Sequence, residues 1–396
     1  MDVQNFQERI KFLSSDEIQN FIIENENIDP QKLILNPSSL VKEHVIHVAD
    51  QIISRKKAKT KHPLWYTTKG VVYPPPLSLE QSSADEVAQY KKHFVKNNQI
   101  IDLTGGMGVD LINMSNSESL ATYLEKDPWI ASVFEHNAIK LGRHIEILNM
   151  PCESYLDQIS QGSFVFIDPA RRNDSKNKVF KFQDCSPNVI ELIPSLLERG
   201  CTLLIKASPM IDVTLGIKEI AHVSEVHVVS SKGDCKEVLF LLTPVPKNDP
   251  QIHCIDLSAN SEFIFTMHQE HSTHVPLCEP KKYLLDPNPS ILKAGAFKTI
   301  ADRFKLCKLD VNTHLYTADE IIQNFPGRQF EVIHANVSKR EIKNLITDGQ
   351  VNVISKNYPG GAAGLKKKFS LKDGGQHFLI GLKSVSANKL MFCSKV

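Results

Sequence analysis

No stretch of this chain approaches the about 18 consecutive apolar residues of a membrane-spanning helix, so a membrane protein of the helical kind is not expected. The first residues, MDVQNFQERIKFLSSDE, are charged and hold no apolar core, which argues against a secretory leader. Paired cysteines are missing: the eight, at 152, 185, 201, 235, 254, 278, 307 and 393, include no C-x-x-C, which argues against zinc ribbons and dithiol redox motifs. Scattered single thiols suit a reducing cytoplasm, and a cytoplasmic location is expected. The 15 histidines show no H-E-x-x-H, so no metal is expected either. An excess of one charge is missing as well: 46 basic against 45 acidic residues leave +1, which neither favours nor excludes nucleic acid as a partner. Internal repeats and low-complexity tracts are absent.

What remains is an ordinary globular composition, 41% hydrophobic and 23% charged, over 396 residues, too long for one ordinary core. The first sixty or so residues carry helical spacing. SSDEIQNFIIEN places Glu17 three residues after Ser14, the pattern of a capping box opening a helix. SSLVKEHVIHVADQIISRKKAKTK repeats apolar residues at helical period and ends in the basic run Lys56 to Lys61, read first as a solvated helix end and alternatively as a phosphate contact. Pro74, Pro75 and Pro76 interrupt the pattern, and helix is expected to resume at Ser82 or Ser83.

From Gln99 the period changes. QIIDL, ATYLE, IEILN, FVFID and CTLLIKA read as short buried strands with helices between most of them, and VSEVHVVSS and EVLFLLTPV as a final β pair. That alternation predicts a doubly wound, mostly parallel α/β sheet, whose ligands sit at the carboxyl ends of its strands. Beyond residue 247 the pattern becomes α+β: CIDLSANSEFIFTM is β-rich, NPSILKAGAFKTIADRF reads as one helix from about Pro289, and a strand–helix–strand unit and two closing strands follow. The expected organisation is a helical region at 1–78, a Rossmann-like domain at 79–247, and α+β modules at 248–327 and 328–396.

The most informative string is IIDLTGGMG, with Asp102 at a strand end followed by Thr104, Gly105, Gly106 and Gly108. Glycines let backbone approach a ligand, although a tight turn uses them equally. The dinucleotide fingerprint G-x-G-x-x-G is not matched, because Leu111 stands at the third glycine position, and Asp102 would crowd a pyrophosphate. A positively charged ligand with a ribose fits better. S-adenosyl-L-methionine carries a sulfonium and an ammonium that Asp102 can face. Its ribose hydroxyls can donate to Glu125, which lies about twenty residues on at the end of the second strand.

Taken in order, DLTGGMG, Glu125 and FIDPARR resemble the motifs of class I S-adenosylmethionine-dependent methyltransferases over about residues 80 to 245. YPPPLSLEQSSADEVAQYKKHF resembles the entry segment of RNA methyltransferases related to trimethylguanosine synthases; a plain capped helix is the alternative. More narrowly, the chain resembles a bacterial group of methyltransferases with a ferredoxin-like module, carried by LLDPNPSILKAGAFKTIADRF and LYTADEIIQNFPGRQFEV. That group also has a THUMP-like C-terminal domain, carried by VSKREIKNLI, KKKFSLKDGGQHFLIGLK and LMFCSKV. The resemblance implies RNA, tRNA or rRNA, as the partner and neither membrane nor metal. It implies Asp102, Thr104, Gly105, Gly106, Gly108, Glu125 and Asp168 around the cofactor, and Asp168, Pro169 and Arg171 at the acceptor.

Direct methyl displacement needs alignment more than a metal. Relatives acting on exocyclic amines end strand four in Asp/Asn-Pro-Pro-aromatic; here Ala170 and Arg171 replace the second proline and the ring. Arg171 can stack on a base or grip a phosphate, Arg172 can do the latter, and either can pair with an acid inside the fold. Lys206, closing strand five, is expected to be exposed, with substrate phosphate as the alternative. Asn137 and His136 read as structural. Lys366, Lys367, Lys368 and Lys372 follow YPGGAAG, read as flexible, and can track an RNA backbone or form a solvated face. A protein or small-molecule acceptor, and a non-catalytic RNA-binding protein with a vestigial cofactor site, stay open as alternatives.

Overall fold

Apolar residues at helical spacing build the first part of the chain: α1 (Val3–Ser14), α2 (Asp16–Glu24), α3 (Pro30–Leu35), α4 (Val45–Lys61), α5 (Pro63–Thr67), α6 (Pro76–Gln81) and α7 (Asp85–Tyr90). The computed structural model of the chain describes residues 3–96, 99–116, 118–171 and 181–396. Ser14 does not open a helix: it ends α1, and Ser15 is the N-cap residue of α2, its hydroxyl donating to Phe12 O at 2.7 Å. Helix resumes two residues later than Ser83, because Ser82 closes α6 and Ala84 is the N-cap of α7.

The alternating region gives β1 (Gln99–Asp102), α8 (Val109–Met114), β2 (Leu120–Leu124), α9 (Pro128–Lys140), β3 (Ile145–Leu148), β4 (Phe164–Ile167), the two-residue strands β5 (Ala170–Arg171) and β6 (Cys185–Ser186), α10 (Val189–Glu198), β7 (Thr202–Ala207), α11 (Val213–Glu219), β8 (Val223–Ser231) and β9 (Asp234–Leu242). Strands β3, β2, β1, β4 and β7 lie side by side in parallel, and β9 joins β7 antiparallel. The chain divides into two compact units, and this sheet belongs to the first, formed by Met1–Ser224 and Lys236–Lys247. Ile10, Leu13, Ile18, Ile22, Val48 and Ile52 of the N-terminal helices share one core with Val133 of α9. At about 1.5–3 kcal/mol per buried aliphatic side chain, that core is what fixes the N-terminal helices on α9.

The second unit holds Glu225–Cys235 and Asn248–Val396. In it β10 (Gln251–Asp256) pairs parallel with β8 and antiparallel with β11 (Ser261–Thr266). Then come α12 (Met267–Ser272), β12 (Tyr283–Pro287), α13 (Pro289–Ala294), α14 (Thr299–Arg303), β13 (Cys307–Asp310), β14 (Thr313–Ala318), β15 (Gly327–His334), α15 (Lys339–Leu345), β16 (Asn352–Lys356), α16 (Gly361–Phe369), β17 (His377–Lys383) and β18 (Asn388–Lys395). A seven-stranded sheet runs in the order β13-β14-β12-β15-β18-β17-β16. The single helix expected from Pro289 is two, because Gly295 takes a left-handed conformation at φ +83° and ends α13. The glycine-rich stretch before the lysine cluster is not a flexible linker: it forms the start of α16, anchored by the buried Leu365. No helix among the described residues is long and apolar enough to cross a membrane.

Candidate active site

Strand order proceeds from β1 outward through β2 to β3 and then resumes on the other side of β1 with β4 and β7, and the crevice at such a switch point is where doubly wound sheets bind ligands. Asp102 ends β1, and Asp168 follows the last residue of β4. The two strand ends are tied together. Leu103 N–H donates to Phe166 O at 3.0 Å, Asp168 N–H donates to Thr104 Oγ1 at 2.6 Å, and Thr104 N–H donates to Asp102 Oδ1 at 2.9 Å.

The loop after β1 is shaped by two aromatic rings beneath it. A Cβ on Gly105 would lie 2.1 Å from the Tyr123 ring, and one on Gly108, at φ +78°, would lie 2.0 Å from Phe134. Tyr123 and Phe134 stack with centroids 4.0 Å apart, and the Tyr123 hydroxyl donates to Gly106 O at 2.6 Å. Only glycine lets the loop lie this low. Glu125, just after β2, accepts from Gly106 N–H at 2.9 Å and from Asp127 N–H at 2.8 Å. Gly108→Ala is expected to cost at least twice what Gly142→Ala costs in a thermal melt. Both positions have positive φ, worth about 1–2 kcal/mol, but a Cβ on Gly142 meets nothing within 4 Å.

Asp102 is 1% exposed. Burial pushes its carboxyl up to about 8; the Thr104 N–H opposes this, the negative charges of Asp110 and Asp168 add to it, and Lys206 offsets part. A neutral carboxyl at this place is poised to ionise when a cation arrives beside it.

Behind Asp168 lies a buried ionic cluster. Lys206 Nζ sits 2.5 Å from Asp168 Oδ2, 3.1 Å from Asp110 Oδ2 and 3.2 Å from Ser83 Oγ, so all three of its protons have acceptors. Lys91 Nζ reaches Asp110 Oδ1 at 2.9 Å, Glu237 Oε1 at 2.6 Å and Ser83 Oγ at 3.2 Å. Ser83 donates to Glu237 Oε2 at 3.0 Å. Burial works against ionising Asp110, yet the Lys206 and Lys91 ammoniums hold its carboxyl far below the usual range. Burial likewise raises Glu237, with Lys91 and Lys206 pulling back. For Lys206 burial favours the neutral amine, but Asp110, Asp168 and Glu237 keep it firmly charged. Asp168 is the most open member, its side chain 37% exposed; burial raises its carboxyl, and Lys206 offsets part of that rise.

Lys206 is therefore not the exposed lysine expected of a strand end, nor one free for a phosphate: it is 8% exposed and fully engaged. The structure brings Asp102, Thr104, Gly105, Gly106, Glu125 and Asp168 around the β1–β4 crevice, while Gly108 starts α8 against Phe134 and Pro169 is buried. The Arg171 backbone pairs with Cys185 in β5–β6, its side chain lies outside the described residues, and so does Arg172. Sequence reading missed Lys91, Asp110 and Glu237. The one visible signal was a glutamate heading the apolar run VLFLL.

The serine segment between α6 and α7 is pinned from below. The buried His62 holds Asp85 Oδ1 at 2.8 Å through Nδ1 and Ser82 Oγ at 2.9 Å through Nε2. Two lysines of the basic run are spent on α6: Lys57 pairs with Glu80, and Lys61 donates to Leu79 O and Glu80 O at 2.8 and 2.7 Å. Burial and the nearby Lys206 charge bring Lys61 down to about 8. Asn137 is structural, holding the Val72 backbone at both its N–H and its carbonyl, and His136 bonds Gly70 O at 2.8 Å.

Comparison with known proteins agrees with this architecture. Residues 283–326 match the model of a ferredoxin-like domain, and residues 327–395 that of a THUMP domain-like family. The chain is similar to a protein of Porphyromonas gingivalis W83 whose crystal structure was assigned to the methyltransferases. The two are 32% identical, with 96% of this chain and 98% of that one covered at a TM-score of 0.84. It is also 21% identical, over 65% of this chain and 68% of the other, to a Mycobacterium tuberculosis H37Rv protein described as an uncharacterised S-adenosylmethionine-dependent methyltransferase. With whole-chain identity to the Porphyromonas protein and the methyltransferase sheet in place, the chain belongs to the class I S-adenosylmethionine-dependent methyltransferases that carry a ferredoxin-like module and a C-terminal THUMP-like domain.

Proposed function

We propose that the protein transfers a methyl group from S-adenosyl-L-methionine to a base of tRNA or rRNA. The observation that carries this reading is the Asp168 carboxylate at the β1–β4 crevice, held 2.5 Å from the buried Lys206 and joined through its backbone to Thr104 of the glycine loop.

The residues present fit the cofactor. The loop is kept free of side chains at Gly105 and Gly106, and acids flank it: Asp102 on one side, Glu125 on the other. Such an acceptor set repels pyrophosphate and suits a ligand that is cationic at one end and a vicinal diol in the middle. When bound, the cofactor supplies an electrophilic methyl on a sulfonium. Asp102 would accept from its ammonium group and Glu125 from the ribose hydroxyls. Asp168 would accept an N–H of the acceptor and so would point the acceptor lone pair at the methyl carbon. Lys206 would act through Asp168 as a positioning residue, and the buried Pro169 stiffens the link from Asp168 to β5. Arg171, two residues after Pro169, would stack on the base or hold a phosphate. Alignment of this kind is the largest resource in a displacement that needs no metal.

The THUMP-like match and the lysines of α16 support RNA as the acceptor. Lys366 pairs with Asp373, which leaves the exposed Lys367 and Lys368 to face a phosphate backbone. Lys367→Glu together with Lys368→Glu is expected to weaken RNA binding and to lower the slope of log affinity against log salt by roughly two, with the melting temperature unchanged. Filter binding at several salt concentrations checks this; an unchanged slope removes these lysines from the RNA path. The reading as a whole is tested by nucleoside mass spectrometry of total RNA from cells with and without the protein. One methylated nucleoside should disappear with the protein, and identical profiles would count against RNA as the substrate.

A further inference from the structure

Far along the chain from the glycine loop, the second unit gathers two histidines and two acids on one sheet face. Glu225 and His227 are two residues apart on β8, so both side chains project to the same side. His253 on β10 stands directly opposite His227 in the parallel register, and Gln251 stands opposite Glu225. On β11, Ile264 pairs with His253, which puts Glu262, two residues before it, on that face as well.

The side chains meet. His227 Nε2 lies 3.3 Å from Glu225 Oε2, and the two imidazoles stack with centroids 4.2 Å apart and planes 11° from parallel. One ligand atom from each of Glu225, His227 and His253 falls within 4.8 Å of the others. Glu262 Oε1 sits 2.8 Å from His253 Nδ1. A carboxylate there can only accept from Nδ1–H, and in the neutral ring Nε2 then carries the lone pair. His253 Nε2 is buried and has no hydrogen-bond partner among the described residues.

A buried imidazole lone pair without a donor is costly, and a carboxylate on the far nitrogen is the arrangement that orients metal-binding histidines. From these residues we propose that Glu225, His227 and His253 bind one divalent transition-metal cation, Zn²⁺ by the chemistry of a two-histidine, one-carboxylate set, with Glu262 orienting His253. Tetrahedral zinc at about 2.0–2.1 Å from each ligand sets donors roughly 3.3 Å apart. Side-chain torsions on fixed strands close the distance from 4.8 Å, turning the stacked rings so that both lone pairs converge. Glu225 keeps 27% of its side chain exposed, which gives the ion a way in, while His227 keeps 3%. The fourth position is left to water. The site shares no residue with the methyl-transfer crevice, so the two readings stand or fall separately.

The test uses the full chain stripped of metal by chelation. Titration calorimetry with Zn²⁺ should give one ion per chain at micromolar affinity or tighter. Co²⁺ should give the visible absorption of a tetrahedral nitrogen–oxygen site without a thiolate charge-transfer band, which separates it from the eight free cysteines. His253→Gln should weaken binding at least 100-fold, and Glu262→Gln, a partly exposed position that leaves the ligands in place, by roughly 10–100-fold. Folding of both variants is checked by their melts without metal. No Zn²⁺ uptake by folded protein, or affinity unchanged in both variants, overturns the proposal.

Discussion

Replacing Lys206 by methionine is expected to lower stability by about 3–5 kcal/mol and to abolish methyl transfer. Lys206 is 8% exposed and pairs with Asp168 and Asp110 together, so its loss leaves three carboxylates, the buried Asp110 and Glu237 and the part-exposed Asp168, with one lysine, Lys91. For a unit of this size that is a fall in melting temperature on the order of 10 °C. Activity measured below the melt should fall at least 100-fold in kcat, because Asp168 loses the contact that fixes its carboxylate, while cofactor affinity stays within a few-fold. The double variant Lys206→Met, Asp168→Asn separates structure from chemistry. It removes one of the stranded charges, so stability should recover by at least about 1 kcal/mol beyond additivity. Activity should not recover with it. Recovery of both, or a single variant that melts like the wild type, contradicts the role given to Lys206.

Asp102→Asn should have opposite effects on the free and the cofactor-bound protein. The carboxyl titrates near 8 in the fold, mainly because it is buried, against about 4 in an unfolded chain. A raised carboxyl favours folding below the unfolded value and loses that contribution as pH climbs towards the folded one. The free protein therefore loses stability from this group between about pH 4 and 8, and Asp102→Asn should restore on the order of 2–4 kcal/mol at pH 8. Cofactor binding runs the other way. A cation beside Asp102 favours the ionised form, so affinity should rise with pH, by at most about tenfold per unit, and level off above 8. Asp102→Asn should weaken binding by about 10–100-fold at pH 8.5 and remove the pH dependence, the loss of a charge-assisted hydrogen bond. Calorimetry in buffers of different ionisation enthalpy reads the released proton directly. Affinity that is flat with pH, and equal in the variant, rules out Asp102 as the cation partner.

The strand ends were legible because their signals are local. An acid closing a short apolar strand, three glycines and a second acid about twenty residues on can be read along the chain. The cluster behind Asp168 could not be read that way. Lys206 stands beside Leu239 only because β9 turns back antiparallel against β7, and that register brings Glu237 near. Ser83 and Lys91 join from the two flanks of α7, residues whose sequence neighbours give no hint of a lysine as far off as Lys206. Lys206 itself was misread because a strand-end lysine reaches solvent unless acids wait for it, and three do. Ser14 was misread as a cap because a capping-box pattern does not say whether the preceding helix has already ended; α1 runs through Ser14. The glycines before Lys366 have low helix propensity, which the buried Leu365 overrides by packing.

The central claim is that this crevice moves a methyl group onto RNA with Asp168 at the acceptor. Its most direct test is transfer of radiolabelled methyl from S-adenosyl-L-methionine, by wild type and by Asp168→Asn, to fractionated total RNA lacking the modification. The wild type should label one RNA size class. Asp168→Asn should label it at least 100-fold more slowly while binding the cofactor within a few-fold of wild type. Label in protein or small metabolites with none in RNA, or equal labelling by the two proteins, would contradict the account.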